Sequence, residues 1–268
     1  MALNFDKYSI SAIDTATGFD LATGECLFIF DEIKNGSIEG AAEVRWSTGR
    51  KGRRLFAVKN NKTCTVTLNN GFIVGGALAL SIGDFSPTAD FNAASILIPA
   101  FERIEVGESE TIKISHKAVG VCGNEIGFIY KANKDGSQGE PYTQNSAASS
   151  SSFAYDGETE ITLPTDEFNR GDIVIVFYEY LTKGVKYSNK SNSYSGSCKL
   201  ILDVLAEDVC TGAVRHSKLV MPKVLVNDKF NFSFGDDMSV QSFSAEARAS
   251  VCEGRDSEYF YWIFPDGN

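Results

Sequence analysis

Apolar and polar residues alternate along much of the chain with a period of two. The clearest run is KTCTVTL at residues 62–68. Cys64, Val66 and Leu68 fall on one side and Thr63, Thr65 and Thr67 on the other, the mark of a half-buried strand. ECLFIFDEI at 25–33 reads as a buried strand, with a turn expected at Asn35-Gly36. IEGAAEVRW, ending at Trp46, reads as a second strand, STGRKG as a turn, and RLFAV as a separate strand before 62–68. Asn69-Asn70-Gly71 closes that run. VGGALALSIG at 74–83 is the best short-helix candidate, although its glycines weaken it.

From residue 91 the texture changes. LIPAFERIEV, ESETIKISHKAVG and EIGFIYKANKDGSQGEPYTQ are short strands with turns at roughly ten-residue intervals, the spacing of a small sandwich. Residues 149–152, all serine, read as a solvated loop or edge. GDIVIVFYEYL at 171–181 is the most convincing strand, and CKLILDVLAEDVC follows as a long one. VLVNDKFNFSFG turns at Asn227-Asp228, and with VQSFSAEARASV and YFYWIFP it predicts a hairpin and a final strand. The fold class predicted is mainly β with one short helix.

Composition adds little to that reading. With 268 residues the chain makes one large or two small domains. The 29 Phe and Tyr (19 plus 10) reinforce the β assignment. The N-terminus has no basic-then-apolar signal peptide, and no apolar run approaches the roughly 20 residues that span a bilayer. No membrane insertion is expected, and synthesis in a cytoplasm is. The six cysteines, Cys26, Cys64, Cys122, Cys198, Cys210 and Cys252, have long irregular spacings and no CxxC. They are expected to be reduced and mostly buried. In that compartment the sequons at Asn35, Asn61, Asn189 and Asn231 are chance matches.

Charge changes the picture more. The net charge is −10, yet residues 45–62 hold Arg45, Arg50, Lys51, Arg53, Arg54, Lys59 and Lys62 and no acid. An acidic protein is a poor tight binder of nucleic acid, but it can let DNA slide past. The cluster RKGRR at 50–54 is open to three readings: a solvated hairpin tip, a contact with another subunit, or direct nucleic-acid binding. The acidic run Glu102, Glu105, Glu108 and Glu110 is a candidate receiver for the second.

Catalytic signatures are absent. There is no GxSxG, HExxH or GxxxxGK[ST], and no Cys/His spacing for a metal. His116 and His216 lie in strand-like stretches and read as structural or surface residues. Asn133, Asp135 and Ser137 alternate like a Ca²⁺ loop, but its twelfth position is Gln144 instead of the required Glu, so an ordinary turn is expected. The acidic pairs at 31–32, 166–167, 207–208 and 236–237 point to opposite faces of strands and do not converge. No catalytic residue, cofactor or metal is assigned.

Two stretches carry a resemblance. EVRWSTGRKGRRLFAVKNNKTCTVTLNNGFIVGGALALSIG is a strand, a polar turn, two Thr-rich strands and a helix. HSKLVMPKVLVNDKFNFSFGDDMSVQSFSAEARA is a strand with Pro-Lys, a turn, an F-x-F-x-F strand and then F-S-A-E-A. Together they resemble tail tube (major tail) proteins of long-tailed bacteriophages and related phage-tail-like particles. EIGFIYKANKDGSQGEPYTQ with ITLPTDEFNRGDIVIVFYEY is similar to a β-rich segment added to some of them. The resemblance implies a tail-tube-like β-sandwich or barrel core in residues 1–90 and 196–268, with an inserted β-rich segment at 91–195. It implies a structural virion protein whose subunits form stacked, hexameric rings, a hollow tube through which DNA passes non-specifically. Its partners would be itself and other tail proteins, with assembly in the host cytoplasm. Arg50, Lys51, Arg53 and Arg54 fall where a loop of such proteins reaches a neighbouring subunit. The competing readings are a β-sandwich carbohydrate-binding or adhesin module of a phage particle, which needs exposed aromatics such as those of YFYWIF at 259–264, and an enzyme with a dispersed site.

Overall fold

A computed structural model describes residues 8–232, 241–249 and 258–265. Its elements are overwhelmingly strands, with a single helix among the described residues. They fall into two compact units, one within Met1–Pro87 and Tyr187–Asn268, the other Thr88–Lys186.

The first unit opens with β1 (Tyr8–Phe19), β2 (Cys26–Phe30), β3 (Ile33–Thr48), β4 (Arg54–Asn70) and α1 (Gly75–Ile82). The chain returns to it, after nine strands of the second unit, with β14 (Ser197–Asp208), β15 (Val214–Val226), β16 (Gln241–Ala247) and β17 (Tyr261–Ile263). The sheet runs β2-β1-β14-β15-β16-β4-β3, with β17 also on β15. Every pair is antiparallel. Although far apart in that order, β1 and β3 lie close together, so the sheet curls toward a barrel.

Period-two alternation fills the interior. Cys198, Leu200, Leu202, Val204 and Ala206 of β14 are all buried, as are Cys64, Val66 and Leu68 of β4 and Phe243, Ala245 and Ala247 of β16. Phe28, Phe30 and Phe243 form an aromatic knot with ring centroids 4.9–5.7 Å apart. Each such side chain contributes roughly 1.5–3 kcal/mol by leaving water. The helix forms despite its glycines because packing requires them. A Cβ at Gly76 would sit 2.0 Å from the Leu27 carbonyl oxygen. Gly83 ends the helix in the left-handed region at φ 71°, its N–H donating to the Ala79 carbonyl.

The second unit holds β5 (Thr88–Asp90), β6 (Ile96–Glu105), β7 (Thr111–Lys113), β8 (Phe128–Ala132), β9 (Gln138–Asn145), β10 (Ser152–Tyr155), β11 (Glu160–Thr162), β12 (Ile173–Thr182) and β13 (Gly184–Lys186). Seven of them form a sheet in the order β6-β12-β8-β9-β10-β11-β7, and β13 pairs with β5. Only β9 and β10 pair in parallel among the described ladders. The core is built on Ile129, Phe153, Ile161, Val174, Val176 and Tyr178. Burial, and then the hydrogen bond that the Tyr178 hydroxyl donates to Glu102, push that phenol well above its ordinary value.

Several local expectations need correction. Asn35 and Gly36 lie inside β3 and form no turn, and Asp31 and Glu32 link β2 to β3, which stand at opposite ends of the sheet order. A register shift between Ile33 and Asn35 absorbs the irregularity, and Asn35 Oδ1 accepts a 2.5 Å hydrogen bond from Asn69 on β4. The two strands read at 54–58 and 62–68 are one, since the ladder with β3 continues past Lys59, Asn60 and Asn61. β1 was not foreseen. Register shifts at Ile10/Ala12 and Ile13/Thr15 break its alternation. Ser152 is buried, its Oγ 2.7 Å from that of Ser149, so the serine run is not wholly solvated. The cysteines are not mostly buried: Cys64 and Cys198 are, while Cys26, Cys122 and Cys210 are exposed and all five are free thiols. Cys252 lies outside the described residues. Of the F-x-F-x-F strand, Phe232 makes one isolated bridge to Gln241, and Phe234 lies outside the described residues.

Candidate functional site: a projecting basic arm

The far halves of β3 and β4 form a two-stranded arm. Its ladder runs from Glu43↔Asn60 to Thr48↔Arg54. β16 pairs with β4 only over residues 65–70, so neither arm strand has a second neighbour among the described residues. Burial records the change within one strand. Residues 63–70 of β4 alternate between buried and half-buried, whereas 54–59 are uniformly exposed. Isolated two-stranded ribbons are marginal in water, yet this one leaves Val44, Trp46, Leu55, Phe56 and Val58 exposed, Leu55 by 64% and Phe56 by 59%. Cross-strand partners share a face, so Val44 and Trp46 belong to one side of the arm and Phe56 and Val58 to the other. Each face therefore presents exposed apolar side chains beside cationic ones.

The tip is a tight turn. The Gly49 N–H donates to the Arg53 carbonyl at 2.9 Å and the Gly52 N–H to the Gly49 carbonyl at 3.0 Å. Lys51 and Gly52 both take positive φ, 79° and 73°. All four residues expected to form a basic contact stand here, Arg50, Lys51 and Arg53 in the turn and Arg54 at the start of β4, and all are exposed. None makes an ion pair among the described residues. Arg54 instead places its guanidinium over the Trp46 ring, 4.9 Å from the centroid. The nearest acid that engages the arm is Glu43, 3.8 Å from Arg45 and hydrogen-bonded by Asn61 at 2.9 Å.

Two members of the acidic run at 102–110 already have partners, and Glu105, Glu108 and Glu110 are exposed. Glu102 accepts from the Ser115 N–H and hydroxyl and from Tyr178, while Glu108 pairs with Arg170 at 2.9 Å. The Asn133–Ser137 stretch is a hairpin turn, with Asp135 accepting from the Ser137 N–H at 2.9 Å and the Asn133 N–H bonded to the Ser137 carbonyl at 2.8 Å. His116 stacks on Tyr180 at 4.0 Å. His216 stands 3.3 Å from Asp203, and the two lie with Asp14 such that their ligating atoms fall within 4.8 Å. Sequence reading missed that grouping because three separate strands supply it. Lys218 also bonds Asp203 and already neutralises it.

The first unit also holds a mainly apolar groove of about 610 Å³ between β1 and β3, with Lys34 in its lining. Ile10 and Ile13 line one wall and Ile33 and Ile38 the other, with Leu202 and Trp262 among the residues that close it. Trp262 turns inward, its Nε1–H donating to the Ser217 hydroxyl at 2.9 Å, while Tyr261 and Ile263 of the same strand face out. Among the described residues no helix is long and apolar enough to cross a membrane.

A curled antiparallel sheet with a long two-stranded arm defines a mainly β protein. Residues 9–262 match the YomU/Tube protein family, and the chain belongs to that family. It is a structural phage tail component, and its place is the virion tail. No curated protein matches it.

Proposed function

We propose that this chain is the repeating subunit of the tail tube. Copies associate into rings, six to a ring, and the rings stack into a hollow tube through which DNA passes without sequence-specific contacts. The observation that carries the reading is the arm: five large apolar side chains and four tip cations, all exposed and, among the described residues, without ion pairs, on an otherwise acidic protein. An uncovered apolar ribbon is what a protein presents to a partner, and its positive charge selects an acidic one. The net charge of −10 suits a conduit for DNA, since fixed cations along it would hold phosphates and slow transit. The role is structural, with the protein's partners being itself and other tail proteins, and assembly takes place in the host cytoplasm.

The test is electron microscopy of the concentrated purified protein by negative stain. Rings or stacked tubes are expected. Replacing Arg50, Lys51, Arg53 and Arg54 together by Ser should leave a folded monomer that grows tubes poorly, and normal tubes from that variant would remove the arm from the contact.

A second reading rests on the seven-stranded sheet of the other unit. Phe101, Phe177, Tyr130 and Phe128 form a row of rings across β6, β12 and β8, with Phe101, Phe177 and Phe128 exposed. Exposed aromatics on a sheet face suit a carbohydrate-binding or adhesin module. The Tyr130–Phe177 pair meets edge to face at 80°, however, so the row is not a flat platform for sugar rings. A glycan-array screen distinguishes the two readings.

A further inference from the structure

Three strands that are neighbours in the first sheet each send one metal-binding side chain to the same place. Asp14 of β1, Asp203 of β14 and His216 of β15 have ligating atoms that all lie within 4.8 Å of one another. We infer that they form a binding site for a divalent cation of the zinc type, which staples β1 to β14 and β15. The site is complete within one copy, so it does not depend on how copies assemble.

Register brings the three together. Leu205 stands opposite His216 and Asp203 opposite Lys218, so His216 is a diagonal neighbour of Asp203 on one face of the sheet. That face points away from the core, since Leu202 and Val204 on either side of Asp203 are buried. On β1 the pairing jumps from Ile13↔Val204 to Thr15↔Asp203, which leaves Asp14 as the extra residue of a bulge. Bulges re-aim a side chain, and this one brings the Asp14 carboxylate to the Asp203–His216 pair.

The Asp203 side chain is only 13% exposed, against 62% for His216. A carboxylate so withdrawn from water needs cations around it. Lys218 Nζ takes one oxygen, Oδ2. The other, Oδ1, faces the His216 Nδ1 at 3.3 Å. That separation is long for a charge-assisted hydrogen bond, which spans about 2.7–2.9 Å. It suits a shared metal instead, because two donors held tetrahedrally at roughly 2.0–2.1 Å from one zinc ion stand about 3.3 Å apart. Asp14 is exposed, and rotation of its side chain closes the remaining distance as the third ligand. Charge points the same way. Two carboxylates against the Lys218 ammonium leave −2 plus 1, or −1, for a metal ion to offset, since a ligating imidazole is neutral. One imidazole with two carboxylates and no thiolate suits zinc and its neighbours among the first-row divalent metals. Three protein ligands leave a fourth position open to water. The added bonds fall at the bulge, where the ladder between β1 and β14 is interrupted.

The experiment titrates zinc against a chromophoric zinc indicator in the presence of the full, untagged chain, stripped of metal by a chelator and with its accessible thiols capped by iodoacetamide. The caps matter because Cys26, Cys122 and Cys210 are exposed and would themselves take zinc. One zinc per chain is expected, with a rise in Tm at saturation. His216→Ala and Asp14→Asn, both at exposed positions, should keep the wild-type circular dichroism and weaken binding about tenfold or more. Their Tm should no longer respond to zinc. Lys218→Met removes a cation beside the metal and should tighten binding a few fold. Absence of saturable zinc binding overturns the site. So does binding that His216→Ala and Asp14→Asn leave unchanged, or that Lys218→Met leaves unchanged, because the ion would then sit elsewhere.

Discussion

The Arg54 guanidinium lies 4.9 Å from the centre of the Trp46 ring, across the two strands of the arm. That contact pairs the arm's largest apolar side chain with a tip cation and leaves both accessible. An exposed cation–π contact is worth about 0.5–1 kcal/mol. Trp46→Ser should therefore cost the monomer no more than about 1 kcal/mol in urea unfolding, yet reduce self-assembly measured by sedimentation far more than that figure predicts. A proportionate loss in both would make Trp46 a local brace and nothing else.

Gly76 tests the helix. With the Leu27 carbonyl oxygen only 2.0 Å from where a Cβ would lie, Gly76→Ala cannot be accommodated without moving α1 off β2. Helix propensity alone favours alanine by about 1 kcal/mol. Overpacking costs about 1–3 kcal/mol and should win. Thermal unfolding is expected to show a lower Tm, and a rise would mean that the helix shifts freely.

The second unit has a pH-sensitive brace. Lys131 Nζ lies 2.6 Å from Asp172, and this hydrogen bond, followed by the Asn169 N–H, holds the Asp172 carboxyl below its ordinary 3.8. A depressed folded-state value means that the contribution is fully present above the unfolded value and fades as pH falls below about 4 through the folded one. Asp172→Asn should lower stability at pH 7 by roughly 1 kcal/mol, the scale of a partly exposed pair, and the gap from wild type should narrow near pH 3. Denaturant titrations at both pH values measure it. A gap that stays constant with pH would assign the loss to packing.

The thiols divide sharply. Burial pushes Cys198 up to about 12 and raises Cys64 as well, so neither is a thiolate near neutral pH, nor is either accessible. Iodoacetamide at pH 8 should label Cys26, Cys122 and Cys210 in the folded protein, and Cys64 and Cys198 only after unfolding. Peptide mass spectrometry reads this directly. Labelling of Cys198 in the native state would indicate that β14 opens.

Much of the molecule was written in the order of its residues. KTCTVTL fixes which side of β4 faces the core, because side chains alternate whatever surrounds the strand. The helix at 74–83, the turn in STGRKG and the predominance of strands follow from local composition and period. The basic cluster, too, was visible as a run of cations without acids. What the sequence left open was everything set by register and by neighbours. Whether Asn35-Gly36 turns or continues depends on a bulge opposite Asn69, and whether Lys59, Asn60 and Asn61 break a strand depends on β3 lying alongside. Similar residues in one strand become core at Val66 and uncovered surface at Val58, because β4 is flanked by both β3 and β16 at the first and, among the described residues, by β3 alone at the second. The groove, which gathers Ile10, Ile33, Leu202 and Trp262 from distant parts of the chain, exists only because the sheet curls until β1 meets β3. Local sterics and side-chain period act over a few residues and can be read from them, whereas burial is decided by which strands the folded chain brings together.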